Sequence, residues 1–116
     1  MPRARSLFVL AGTPGAARII SAMTLPVSNL VDFKMGIQEA IEAPRFYARD
    51  TDADLSVEAR MPAATIEALM KMGYSVKTLG EYDLFPGGAP GIVIDPKTRR
   101  RMGGADPRRD EAVVGY

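Results

Sequence analysis

Apolar positions in this chain fall into short blocks, and each change in their spacing marks a new element. Leu7-Phe8-Val9-Leu10 is a continuous apolar run that stops at Gly12, the pattern of a buried strand covered on both faces. From Ile19 the interval becomes helical. Ile19, Ile20, Met23, Val27, Leu30 and Val31 then form a wide stripe suited to a core. Thr13 is placed to cap this helix through its hydroxyl. Pro14 then takes the first helical position, where a missing N–H costs nothing. Pro26 falls inside the pattern and predicts a kink or a break. Gly36 opens a second short helix, Ile37 to Glu42, which Pro44 ends.

Arg45 to Arg49 and Leu55 to Glu58 read as short strands, joined by the acidic loop Asp50-Thr51-Asp52-Ala53-Asp54. Pro62 opens a helix that sets Ile66, Leu69 and Met70 on one face and ends at Gly73. Tyr74 to Leu79 alternates with period two, as a half-buried strand does. Phe85 to Gly91 is a turn or loop by composition. Gly91-Ile92-Val93-Ile94 is a strand that turns through Asp95-Pro96-Lys97-Thr98 and returns through Arg101-Met102-Gly103. Ala105 to Tyr116 carries too few apolar positions to assign. Residues 1–116 read as one mixed α/β domain without internal repeats.

Composition narrows the chemistry more than the fold. The 116 residues carry 15 basic and 14 acidic side chains, a net charge of +1, so no strong field points to nucleic acid or an anionic membrane. Cysteine and histidine are both absent, which excludes disulfides, Cys/His zinc sites and a histidine general base. Leu7 to Ala11 is too short for a signal-peptide core or a bilayer span. Lys97-Thr98-Arg99-Arg100-Arg101 is the only basic run. It sits at a hairpin turn without aromatic neighbours, which favours a solvated turn over a nucleic-acid or membrane contact. Asp50, Asp52 and Asp54 alternate like metal ligands. They lack the glycine and distal glutamate of a calcium loop, so a polar connection is expected, with no metal and no cofactor.

Three segments, in order, carry a resemblance. They are Gly12-Thr13-Pro14-Gly15-Ala16-Ala17-Arg18-Ile19-Ile20, Ile37 to Phe46 with its Ala43-Pro44-Arg45-Phe46 ending, and Gly103-Gly104-Ala105-Asp106-Pro107-Arg108-Arg109 closing with Gly115-Tyr116. Together they resemble the C-terminal part of the gamma-glutamyltransferase (gamma-glutamyltranspeptidase) small subunit. That resemblance implies an α+β fold, part of the N-terminal nucleophile hydrolase α-β-β-α sandwich with helices packed on antiparallel sheet. It also implies gamma-glutamyl amide hydrolysis or transfer on glutathione-type substrates, by an N-terminal threonine freed through self-cleavage. That threonine, in a Thr-Thr-His context, has no match here, nor has the Ser-Ser-Met-type loop expected before the first strand. By this resemblance the chain is a fragment, inactive alone.

The resemblance assigns the oxyanion-hole donors to the backbone N–H groups of Gly15 and Ala16. The chemistry suits the place, because amides at a helix N-terminus are unpaired and carry partial positive charge. Ala16 stands where the family has a second glycine, so a methyl group is added and a positive φ would be strained. Read from the residues alone, Gly-Thr-Pro-Gly is first an ordinary strand-to-helix turn, and only the resemblance reverses that. Arg18 either helps hold the site or is a surface helix residue. Arg45 and the Asp106/Arg108 pair are expected to hold buried turns through charge-assisted hydrogen bonds. Tyr47 and Ala48 follow the Phe where histidine is common in the family, and Gly88-Ala89-Pro90-Gly91 replaces a Gln-containing stretch. Both departures suggest a divergent branch. The expected partner is the missing remainder of the enzyme, its large subunit and the N-terminal part of its small subunit. The alternative is a stand-alone, non-catalytic domain that self-associates. The compartment stays open: such enzymes are often periplasmic or extracellular, and this chain shows no signal.

Overall fold

Nine elements follow one another in a computed structural model that describes residues 8–13, 18–48, 54–83 and 87–115. They are β1 (Val9–Ala11), α1 (Ile19–Val31), α2 (Ile37–Glu42), β2 (Phe46–Ala48), β3 (Asp54–Glu58), α3 (Ala63–Lys71), β4 (Ser75–Leu79), β5 (Gly91–Ile94) and β6 (Arg101–Gly104). Two three-stranded sheets result, ordered β1-β5-β6 and β2-β3-β4. The first is antiparallel throughout. The second pairs β2 with β3 antiparallel and β3 with β4 parallel. The parallel pair needs a crossover, which α3 supplies.

Register decides which face of the first sheet is covered. Val9 faces Val93 and then Met102, while Leu10 faces Ile92 and then Gly103. Residues directly opposite share a face. The Val9/Val93 face meets the helices, and its core joins Leu30 of α1 to Ile37, Ala40 and Ile41 of α2. Contact there is close because β6 ends in glycine: a Cβ on Gly104 would lie 2.5 Å from Ile41 Cδ1. The opposite face is bare, with Phe8, Leu10 and Ile92 exposed by 45%, 57% and 41%. Val113 lies against Gly103 on this side.

Several local expectations need correction. Among the described residues the first strand meets the helical layer on one face, while Leu10 on the other is exposed. Helix α1 starts at Ile19 with no side-chain cap. The Thr13 hydroxyl donates to the Gly88 carbonyl, while Pro14 and the residues that Thr13 is expected to cap lie outside the described residues. Pro26 neither breaks nor splits α1, whose 13 residues run past it. Its ring is buried in line with Ala22 and Leu30, so packing offsets the one donor it removes. That 22/26/30 row is the buried stripe. Ile19, Ile20, Val27 and Val31 from the expected stripe are exposed.

Other expectations hold to within a residue or two. Helix α2 spans Ile37–Glu42 as read. Gly73 follows α3 at φ +99, and its N–H bonds to the Met70 carbonyl at 3.0 Å, a glycine terminator. The basic run is an exposed turn: Asp95 Oδ1 accepts from the N–H groups of Lys97 at 2.7 Å and Thr98 at 3.0 Å. Those two bonds hold the Asp95 carboxyl below its ordinary range. No helix among the described residues is long and apolar enough to cross a membrane.

Candidate functional site

The segment between β1 and α1 is the candidate site, and Gly15 and Ala16, the donors expected there by resemblance, lie outside the described residues. What flanks them is fixed. The N–H of Gly12 bonds to the Pro90 carbonyl at 3.4 Å, continuing the β1–β5 pairing beyond Ala11. One residue later the Thr13 hydroxyl donates to the Gly88 carbonyl. The strand therefore leaves its sheet braced against residues 87–90. Arg18, half-buried, stands immediately before α1 on the far side.

Residues 87–89 are buried and held from below. Arg45 Nη1 donates to the Gly87 carbonyl at 2.5 Å, and the Ala89 N–H donates to Asp106 Oδ2 at 2.7 Å. Gly87 adopts φ +86, which glycine tolerates. Gly88 sits under the Arg109 side chain, whose Cδ would be 2.5 Å from a Cβ there. With the carbonyl of 87 and the N–H of 89 both tied inward, the Gly88 carbonyl is left to Thr13.

The anchor is a buried charge cluster. Arg45, Glu58, Asp106 and Arg108 are exposed by 1%, 0%, 1% and 4%. Arg108 grips Glu58 with two parallel bonds, Nε to Oε1 at 2.5 Å and Nη2 to Oε2 at 2.6 Å. Its Nη1 reaches Asp106 Oδ1 at 3.1 Å and the Ile41 carbonyl at 2.9 Å, and Nη2 also donates to the Ala43 carbonyl at 2.9 Å. All five guanidinium donors thus have acceptors. Arg45 pairs with Asp106 through Nη2 and Oδ2 at 2.7 Å, and its own N–H donates to Glu58 Oε2 at 2.9 Å. Arg45 Nε has no hydrogen-bond partner among the described residues. Arg60 closes the outer side. It reaches Glu58 Oε2 at 3.2 Å and the Glu42 carbonyl at 2.6 Å, while its guanidinium stacks 3.8 Å from the Tyr82 ring centre.

Electrostatics follow from this packing. Burial alone would raise the Asp106 carboxyl, but the Arg108 N–H, the Arg45 charge and the Ala89 N–H hold it below its ordinary value. Burial and the neighbouring Arg108 depress the Arg45 guanidinium, against the pull of Asp106. Burial also works against the charge on Arg108, but the bonds and charge of Glu58 outweigh it and raise its pKa. Two cations and two anions at the centre neutralise each other, with their oxygens and nearly all their N–H groups engaged. Such a cluster orders backbone and leaves no free base. The expected roles of Arg45, Asp106 and Arg108 are therefore seen, but sequence reading missed Glu58, the anion at the centre, and Arg60 beside it. Among the described residues no group of three His, Cys, Asp or Glu could hold a metal ion. Asp50 and Asp52 lie outside them, and Asp54 is exposed at the start of β3.

This architecture can be set beside known proteins. The sequence profile of the family described as Gamma-glutamyltranspeptidase matches residues 3–116. The chain belongs to the gamma-glutamyltranspeptidase family. It is 35% identical over 111 residues to the glutathione hydrolase-like YwrD proenzyme of Bacillus subtilis, covering 92% of this chain and 21% of that protein. It is 31% identical over 115 residues to the glutathione hydrolase proenzyme of a Pseudomonas species, covering 93% of this chain and 20% of the relative. Its fold matches the crystal structure of a Helicobacter pylori gamma-glutamyltranspeptidase mutant with TM-score 0.81 and 34% identity. That match covers 94% of this chain and 58% of the other. The chain thus spans about a fifth of the length of these curated relatives. As in the gamma-glutamyltranspeptidase structures, the fold is α+β, part of the N-terminal nucleophile hydrolase sandwich, with helices packed on sheet.

Proposed function

We propose that this chain is the C-terminal part of a gamma-glutamyltransferase-like enzyme. In this reading it supplies the oxyanion-hole donors, the N–H groups of Gly15 and Ala16, while the threonine nucleophile comes from another stretch of polypeptide. The observation that carries it is the profile match across residues 3–116 of a chain spanning only a fifth of its relatives. Shape supports it. The radius of gyration is 15.8 Å, against about 13 Å for a compact domain of this size. The bare Phe8/Leu10/Ile92 face is where a further layer would pack.

The chemistry divides accordingly. An acyl transfer needs a hydroxyl poised at the carbonyl and donors aimed at the oxygen that becomes negative. Thr13, the threonine nearest the candidate donors in sequence, gives its proton to a carbonyl. Thr24 does the same toward Ile20 at 2.7 Å. Neither is activated, and no histidine exists to serve either one. An amide donor at the oxyanion is worth roughly 3 kcal/mol of barrier, which is useful only once a nucleophile is beside it. The chain alone is therefore inactive on gamma-glutamyl amides such as glutathione, and the complete enzyme hydrolyses or transfers them.

The test compares the purified chain with the same chain assembled with the remainder of the enzyme, on a chromogenic gamma-glutamyl anilide. Turnover is expected only from the assembly. Turnover by the chain alone, blocked by a hydroxyl-directed inhibitor, would overturn the reading. A second reading, a stand-alone oligomeric domain acting as an interaction module, draws on the same bare face, which another copy would cover. A sharp cooperative melt as a stable dimer, with no gain of activity in the assembly, would favour it.

A further inference from the structure

We infer that the outer face of α1 is a docking surface for an apolar helix of the polypeptide that completes the enzyme. The inference rests on the reading of this chain as one part of that enzyme. Its own basis is the make-up of α1. Charged residues are 25% of the chain, yet none of the 13 residues from Ile19 to Val31 carries a charge. A surface helix sets charged and polar groups opposite its dry face, whereas a helix without them is built for burial on both sides. Within α1 only Ala22, Pro26 and Leu30 are buried. Ile20, Val27 and Val31 are exposed, and Phe33, just past the helix, is exposed by 69%.

The outward side chains form two rows with a groove between them. Met23, Val27 and Val31 line one wall and Thr24, Ser28 and Asp32 the other, around a shallow space of about 450 Å³. Both rows keep the i, i+4 spacing whose ridges and grooves interlock with those of a second helix. The hydroxyls of the polar wall are already satisfied. Thr24 donates to the Ile20 carbonyl at 2.7 Å, and Ser28 donates to Asp32 Oδ2 at 2.8 Å. Apolar atoms laid over them therefore strand no hydroxyl proton. A helix suits this groove better than a strand, since α1 offers no open backbone edge and a helix arrives with its own backbone bonds made. Chain length names the owner of that helix. This chain spans about a fifth of its curated relatives, so in them most of the polypeptide that could supply a cover lies elsewhere. The groove and the bare Phe8/Leu10/Ile92 face are separate surfaces, because α1 packs through Leu30 against the Val9/Val93 face of the sheet.

The experiment titrates this chain into the remainder of the enzyme and reads association. Val27→Lys with Val31→Lys, both at exposed positions, should weaken it at least about tenfold. The urea midpoint of the isolated chain should stay in place, as for other surface substitutions. The chain has no cysteine, so Val27→Cys supplies a single thiol of nearly the same size. Maleimide should label that thiol readily in the isolated chain and fail to label it in the assembly. Should the lysine pair unfold the chain, the thiol decides alone. Undiminished association of the lysine pair, or a thiol labelled equally in both states, would overturn the inference and leave the proposed function standing. A thiol protected in the isolated chain, within a dimer that the lysine pair dissolves, would overturn it in favour of a second copy. A natural chain that neither binds the remainder nor gains turnover with it would sink the proposed function, and the docking surface with it.

Discussion

Two regions of the molecule reverse the usual placement of residue types. In one, four charged side chains are sealed from water, among them Glu58 from β3 and Arg108 from beyond β6. In the other, the open face of the first sheet, Phe8, Leu10 and Ile92 stand in solvent. A small domain optimised to exist alone would have little reason for either. The difference teaches that the sealed side holds a loop in register through Arg45 and Asp106, while the open side is the one on which the proposed second layer would pack.

The largest test of this contrast is Arg108→Ala. It leaves Glu58 buried without its main cation and takes one of two from Asp106, and should cost about 3–5 kcal/mol. That is a large part of the roughly 5–15 kcal/mol available to a small protein, so urea unfolding should lose its cooperative transition or shift sharply in midpoint. An unchanged midpoint would mean the cluster is ornamental.

A smaller effect comes from pH. The Asp106 carboxyl is held below its ordinary 3.8 in the folded chain, so it adds stability at pH above the unfolded value. That contribution is lost as pH falls through the folded value, which places the window below about pH 4. Asp106→Asn should flatten this acid limb. An acid limb identical in both proteins would show that Asp106 gains nothing from its partners.

The smallest expected effect is on the open side. Leu10→Lys with Ile92→Lys disturbs one cross-strand pair and should change the isolated chain by less than about 1 kcal/mol. The same pair should weaken association with the remainder of the enzyme at least about tenfold, since each buried leucine-sized side chain is worth about 1.5–3 kcal/mol. Undiminished association in a pull-down titration would show that this face is not the one used.

Sequence reading saw the elements where local chemistry was strong. Pro44 and Gly73 end α2 and α3 because one restricts the residue before it and the other accepts positive φ. The Gly91 strand begins where the loop composition ends. Reading failed where a distant partner decided the outcome. Glu58 closes the strand read from Leu55, and nothing near it announces an arginine 50 residues later. Ala22 and Pro26 form the buried row of α1 since small residues allow close approach, yet the large side chains at 19, 20, 27 and 31 dominate any apolar pattern. Nothing near Thr13 announces that its hydroxyl donates to the Gly88 carbonyl, 75 residues along the chain. Of the candidate site, the motif around Gly15 and Ala16 was legible by resemblance, whereas its bracing from residues 87–89 was not.

One feature of the cluster bears on how the protein is made. A ribosome delivers Arg45 and Glu58 well before Asp106 and Arg108, and Arg108 closes contacts over 50 to 67 residues. Until Asp106 and Arg108 are added, Arg45 waits without its buried carboxylate partner and Glu58 without its bidentate one. A nascent polypeptide in that state is one that chaperones would hold and proteases would find, and a stop codon placed just after Gly104 would leave it there permanently.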